Sequence, residues 1–198
     1  MAVVSKAELR KQLLAARLEV ADDVHAVEAQ LLRDHLALAV SSGSTVCAYV
    51  PVGSEPGSLA MLDALLSRAR RVLLPVARID GDDVPLPLLW GEYRPDGLVR
   101  GRWGLLEPPE PWLPESALGE AGVVLVPALA VDRRGVRLGR GRGFYDRSLA
   151  GRDPHAQLVA VVRDQEFVGE LPSELHDVRM THVLTPHGGL TSVIPTGE

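Results

Sequence analysis

Residues 45–76 read TVCAYVPVGSEPGSLAMLDALLSRARRVLLPV. The stretch opens on TVCAYV and closes on RVLLPV, two short apolar runs rich in β-branched residues, as strands covered on both faces are. Between them a Gly/Pro/Ser-rich loop leads into LAMLDALLSRA, long enough and apolar enough for a packed helix. Strand, helix, strand is the unit that joins parallel neighbours through a right-handed crossover. Glu55 falls in the first loop, at the end of its strand where open α/β sheets take their ligands.

The same kind of run continues outward. GVVLVPALAVD (122–132) reads as a third buried strand, and QLVAVV (157–162) and THVLTP (181–186) as two more, with a helix predicted over 143–149. Upstream, Ser5-Lys6-Ala7-Glu8 fits a capping box opening a helix to about Val20, with Leu9, Leu13, Ala16 and Val20 as its buried stripe. Lys6 and Arg10 lie four apart on another face, where two cations can hold one polyanion or simply form a solvated edge. A second helix is expected from Asp22, as its cap, to Val40. The Pro/Gly-rich segment from Ile79 to Leu118 reads as a covering piece with short strands at Val84–Trp90 and near Leu98. It holds all three tryptophans, Trp90, Trp103 and Trp112, as a packing belt or as an aromatic wall for a flat ligand. Strands alternating with helices predict a single-domain, three-layer α/β/α fold with a mostly parallel, Rossmann-like sheet over residues 1–190, and a flexible tail at 191–198.

Bulk composition narrows the function classes. With 46% hydrophobic and 24% charged residues in 198, the chain is of globular type, and no apolar run approaches a membrane span of roughly 18 residues. The N-terminus has charges scattered among its apolar residues and lacks the block of a secretory signal, which predicts a cytoplasmic protein with no membrane partner. One cysteine, Cys47, excludes an internal disulfide and a multi-thiolate metal site, and its apolar setting predicts a buried thiol. The formal charge of −5 argues against a surface that grips nucleic acid throughout. Yet Asp132 to Arg147 carries six arginines against two acids. An acidic chain has kept one spot for anions.

That spot is GVRLGRGRGFYDRSL (135–149). Glycines at 139, 141 and 143 let the backbone approach a ligand and turn its amides inward as an anion nest, and the helix that follows adds its N-terminal partial charge. The spacing matches neither G-x-x-x-x-G-K-[ST] nor G-x-G-x-x-G. Asp146 offers a hard oxygen of the kind magnesium takes beside phosphates. A phosphate-binding loop, a solvated basic turn and an RNA-contacting patch all remain open at this point.

The longer stretch PALAVDRRGVRLGRGRGFYDRSL (127–149) resembles the signature of the 5-formyltetrahydrofolate cyclo-ligases, roughly P-G-L-A-F-D-x-x-G-x-R-L-G-x-G-x-G-Y-Y-D-R-x-L. Four further blocks agree in order and spacing: Lys6 with Arg10, Tyr49 to Glu55, Gly104 to Pro108, and Glu174 to Asp177. The chain departs from the pattern at Val131, where phenylalanine is usual, and at Pro56-Gly57 after Glu55.

The resemblance implies cyclisation of 5-formyltetrahydrofolate to 5,10-methenyltetrahydrofolate, driven by ATP with Mg2+ and releasing ADP and phosphate. It places Lys6, Arg10, Arg137, Leu138, Gly139, Arg140, Gly141, Arg142, Gly143, Phe144 and Tyr145 at ATP. Val50 and Glu55 would contact the folate, with Arg140 to Phe144 lying between the two ligands, and Asp146 with Asp177 would hold the magnesium. Arg140, Arg142 and Tyr145 are the candidate catalytic groups, the arginines for their charge. The partners expected are the folate and ATP, with no nucleic acid, and a monomer is expected, a dimer being compatible. Two other readings stay beside this one: a polyanion or RNA-binding module, and a sugar-phosphate or thioester enzyme on a similar fold. The latter needs an acid/base pair that the scattered histidines do not suggest.

Overall fold

The computed structural model describes residues 5–174 and 177–193. Two helices, α1 (Lys6–Leu18) and α2 (Asp22–Ala39), precede β1 (Thr45–Cys47), α3 (Leu59–Leu66) and β2 (Arg71–Val76). The covering segment supplies β3 (Leu89–Glu92) and a small hairpin of β4 (Val99–Arg100) with β5 (Leu106–Glu107). Then follow β6 (Val123–Pro127), β7 (Ala130–Asp132), β8 (Arg137–Leu138), α4 (Phe144–Ser148), β9 (Gln157–Val161), β10 (Phe167–Val168), β11 (His182–Thr185) and β12 (Gly189–Ser192).

The unit at 45–76 folds as its sequence predicts, with Val46 opposite Val72 in a parallel pair and α3 crossing between the strands. Seven strands form the main sheet in the order β12-β11-β9-β6-β1-β2-β3, parallel except for an antiparallel strand at each edge. Alternate residues of each strand face opposite layers. Val46, Leu125 and Val159 pack beneath Leu32 and Leu36 of α2 and Met61 and Leu65 of α3. Cys47, Val124 and Leu158 face the other way, onto Trp90, Leu118 and Leu149. Burial pushes the Cys47 thiol pKa far up, as a core thiol requires. The three-layer, single-domain expectation holds.

Several boundaries differ. The predicted third strand is two: β6 stays in the main sheet to Pro127, and after Ala128 and Leu129 the chain enters a separate three-stranded sheet, β10-β7-β8. Proline at the end of β6 has no N–H for the ladder, and the Leu129 amide donates to the Leu138 carbonyl instead. α1 stops at Leu18, Ala16 is exposed, and it is Arg17 that is buried. Leu9 and Leu13 pack on the small sheet as expected. The Ser5 hydroxyl accepts the Glu8 amide, which is half of the predicted capping box, and Ala21 rather than Asp22 holds the cap position of α2. The strand expected at 84–90 begins five residues later, at Leu89, and ends at Glu92. At the other terminus β12 runs to Ser192 and Val193 is buried, so the sheet extends past the predicted boundary at 190, while 194–198 lie outside the described residues. No described helix is long and apolar enough to cross a membrane.

Candidate active site

From β1 the chain moves to one side to make β2, then crosses to the other to make β6, so the loops leaving β1 and β6 diverge. Such a switch point opens a crevice at the carboxyl ends of the strands. A cavity of about 370 Å³ lies there, lined by Tyr49 and Val50 after β1, Pro75 and Ala77 at the end of β2, and Pro127, Ala128 and Leu129 after β6.

The loop after β1 brings Glu55 into the wall. The Tyr49 hydroxyl donates to the Pro56 carbonyl at 3.1 Å and closes the loop, so the departing Pro56 has a fixed place. Glu55 is buried; its Oε2 accepts the Val52 amide at 3.0 Å, and its Oε1 pairs with Arg140 Nε at 3.0 Å. The folate-loop candidate and the Gly/Arg loop therefore touch.

That second loop arrives through a turn held by Asp132, whose buried carboxylate accepts the amides of Arg134, Val136 and Leu171. Arg137 is almost enclosed, pairs with Asp146 Oδ1 at 2.5 Å and lies over the Tyr145 ring at 5.8 Å. Its Nε and the Tyr145 hydroxyl are sealed from solvent with no hydrogen-bond partner among the described residues. Burial and the nearby Glu55 charge raise the Tyr145 pKa far above the ordinary phenol value. Gly141 and Gly143 take left-handed backbone, φ 92° and 76°, which lets the chain fold back into α4.

Arg137, Gly139, Arg140, Gly141, Arg142, Gly143, Phe144, Tyr145 and Asp146 all line the cavity together with Val50 and Glu55. Four predicted site residues do not. Leu138 is buried in the core of the small sheet. Arg10 supports the loop from behind, donating to the Gly139 carbonyl at 2.9 Å with its guanidinium against Gly141. Lys6 pairs with Asp177 at 3.1 Å and Glu174 at 3.0 Å, which ties the start of α1 to those two carboxylates. Asp146 and Asp177 are hard oxygen donors, and a magnesium ion that keeps waters and phosphate oxygens needs only one or two such groups. Among the described residues no three His, Cys, Asp or Glu side chains form a fuller metal cluster.

Several wall residues, among them three from separate elements, were not read as site residues in the sequence. Arg17 reaches the cavity from α1, Glu107 from β5, and Ala128 from the break after β6. The three tryptophans are placed differently. Trp90 is buried and Trp112 donates to the Pro108 carbonyl at 3.0 Å, while Trp103 is 48% exposed at the cavity wall, with Arg142 5.4 Å over its ring and Phe144 edge-on at 6.4 Å. At Val131, where phenylalanine is usual, the neighbouring strand sets Phe167 directly opposite.

Comparison with known proteins bears on the family and the fold. The family model described as the 5-formyltetrahydrofolate cyclo-ligase family matches residues 2–186. The 5-formyltetrahydrofolate cyclo-ligase of Mycolicibacterium smegmatis is 59% identical over 96% of this chain and 97% of its own. The Escherichia coli protein of that name is 31% identical over 72% and 78%. The solution structure of 5,10-methenyltetrahydrofolate synthetase from Aquifex aeolicus shares the fold, with a TM-score of 0.75 over 98% of this chain and 94% of its own at 22% identity. A synthetase of the same name from Mycoplasma pneumoniae superposes at 0.70, over 91% and 98%, at 17% identity. The chain is therefore a member of the 5-formyltetrahydrofolate cyclo-ligase family.

Proposed function

We propose that this cavity closes 5-formyltetrahydrofolate to 5,10-methenyltetrahydrofolate at the expense of ATP, with Mg2+, releasing ADP and phosphate in a cytoplasmic setting. The observation that carries the reading is the contact between Glu55 and Arg140, which joins a carboxylate suited to the donor edge of a pterin to a glycine loop suited to phosphate. The chemistry needs both ligands in one enclosure. An amide oxygen is a poor leaving group, and phosphorylation makes it a good one. Catalysis is then positioning, plus neutralisation of the charge developing on phosphate.

Arg137, Arg140 and Arg142 supply that positive charge from the wall, where Gly139, Gly141 and Gly143 also lie, and the backbone amides of this loop would add donors. Arg10 and Lys6 act from behind, Arg10 holding the loop at Gly139 and Lys6 holding Glu174 and Asp177. The Tyr145 hydroxyl and Arg137 Nε stay enclosed behind this wall, with no hydrogen-bond partner among the described residues. Magnesium, held through Asp146 and Asp177, would screen the phosphate charges. Val50 and Trp103 offer apolar surface to the folate ring.

Purified protein given Mg-ATP and 5-formyltetrahydrofolate is expected to generate the near-ultraviolet absorbance of the methenyl product; folded protein without that absorbance overturns the reading. Asp146→Asn keeps the size and the hydrogen bond to Arg137 but loses the charge. It is expected to lower turnover about tenfold or more and to weaken Mg-nucleotide binding measured calorimetrically, with an unchanged melting curve. Wild-type turnover in that variant removes Asp146 from the metal site.

A further inference from the structure

Three carboxylates line the cavity: Glu55, Asp146 and Glu107. The first is engaged by Arg140 and the Val52 amide, the second by Arg137. No hydrogen bond or ion pair from a described residue reaches the carboxylate of Glu107. Burial alone acts on it and raises its pKa above the usual glutamate value. Its carboxyl end lies over a glycine. A Cβ added to Gly101 would fall 1.9 Å from the Glu107 carboxyl carbon, so the end of this side chain occupies space that residue 101 leaves open and would have to swing aside for a methyl group. Gly101 and Glu107 flank the β4–β5 hairpin tip that presents Trp103, and the Gly101 amide donates to the Leu105 carbonyl at 2.8 Å, which fixes that seat.

We propose that Glu107 is the general base of the ring-closing step. The proposal rests on the cyclo-ligase reading above. Once the formyl oxygen carries the phosphoryl group, the lone pair of the neighbouring folate amine forms a new N–C bond. The amine's N–H proton passes to the Glu107 carboxylate, the C–O bond breaks, and its electron pair leaves with phosphate, which then takes the proton from Glu107. Nothing is oxidised or reduced, and ATP is the only co-reactant. A carboxylate with an unfilled acceptor in a partly apolar wall suits this step. The other charged groups of the cavity, Arg17, Arg137, Arg140 and Arg142 with Glu55 and Asp146, are bonded or lie over aromatic rings.

The test compares the intact wild-type enzyme with Glu107→Gln and Gly101→Ala, following ADP by rapid quench and methenyl product by absorbance. Glu107→Gln is expected to lower kcat about 100-fold with KM for the folate held within about twofold. The first turnover of ADP should persist while product lags, and the acid limb of the wild-type kcat profile should vanish. Gly101→Ala leaves the carboxylate in the chain but displaces it; it should reproduce the kcat loss and keep an acid limb. Glu107→Gln turning over like wild type overturns the proposal and makes the departing phosphate the proton acceptor. A raised KM with unchanged kcat makes Glu107 a binding contact and also overturns it, as does a kcat loss matched by a lowered melting temperature with no change in the pH profile. Failure of the underlying reading looks different, because wild type then forms neither ADP nor product.

Discussion

Arg17→Met is expected to destabilise the protein by about 3–5 kcal/mol, the cost of leaving a buried partner charge uncompensated. The Arg17 side chain is 1% exposed and that of Glu166 3%. Nε reaches Oε1 at 2.6 Å, and Nη2 reaches Oε2 at 2.7 Å and the Ala128 carbonyl at 2.6 Å. Methionine fills the volume but satisfies none of these groups. The pair is also one link of a longer chain: Glu166 accepts the Arg163 amide, and Arg163 binds Glu28 at 2.7 Å, the Ser54 carbonyl at 3.0 Å and His25 Nδ1 at 2.9 Å. Because arginine only donates, His25 must accept at Nδ1 and carry its proton on Nε2. Helices α1 and α2, the Glu55 loop and the break after β6 all meet in this network. The loss should appear as a fall in melting temperature of roughly 10 °C. Adding Glu166→Gln to Arg17→Met removes the orphaned charge and should recover much of that fall. A single variant melting within a degree of wild type would show that Glu166 finds another partner.

The same residue marks the limit of what the sequence discloses. Leu9, Leu13 and Arg17 share one ridge of α1, but a cation at the third position reads as solvated because its partner lies 149 residues away. Short-range signals were legible: the strand–helix–strand unit, the cap at Ser5 and the glycine loop each depend on neighbours in the chain. The break between β6 and β7 was not, since VVLVPALAVD is apolar throughout and only the register with β9 and β8 tells its halves apart. In the site, Glu55 and the Gly/Arg loop could be marked, yet their contact could not. Glu107 lies in the Gly104–Pro108 block, where its neighbours in the chain give it no mark. Its interest lies in standing in a cavity wall with no partner among the described residues, and that is a property of the folded chain.

Gly135→Ala is expected to cost about 3–4 kcal/mol, whereas Gly139→Ala, four residues on in the same motif, should cost under about 1 kcal/mol. In the sequence both are glycines of GVRLG, equally suited to a phosphate loop. In the structure Gly135 has φ 78°, and a Cβ there would stand 2.3 Å from the Met180 carbonyl oxygen, a backbone atom fixed by the return bond from the Met180 amide to the Gly135 carbonyl at 2.8 Å. Strain and collision act together, and neither has a cheap escape. At Gly139 a Cβ would meet only the tip of the Arg137 side chain, at 2.9 Å, which can swing aside. Gly135 thus belongs to the scaffold with Asp132, and its bond to Met180 ties the Gly/Arg loop to the strand approach that follows Asp177. Melting curves of the two variants should separate by roughly 6 °C or more. Turnover should follow a different order: Gly139→Ala, though stable, disturbs the Arg137 guanidinium beside Asp146, so its loss should be mainly in kcat/KM for ATP. Equal melting temperatures would place Gly135 in the ligand cradle and remove the structural role assigned to it.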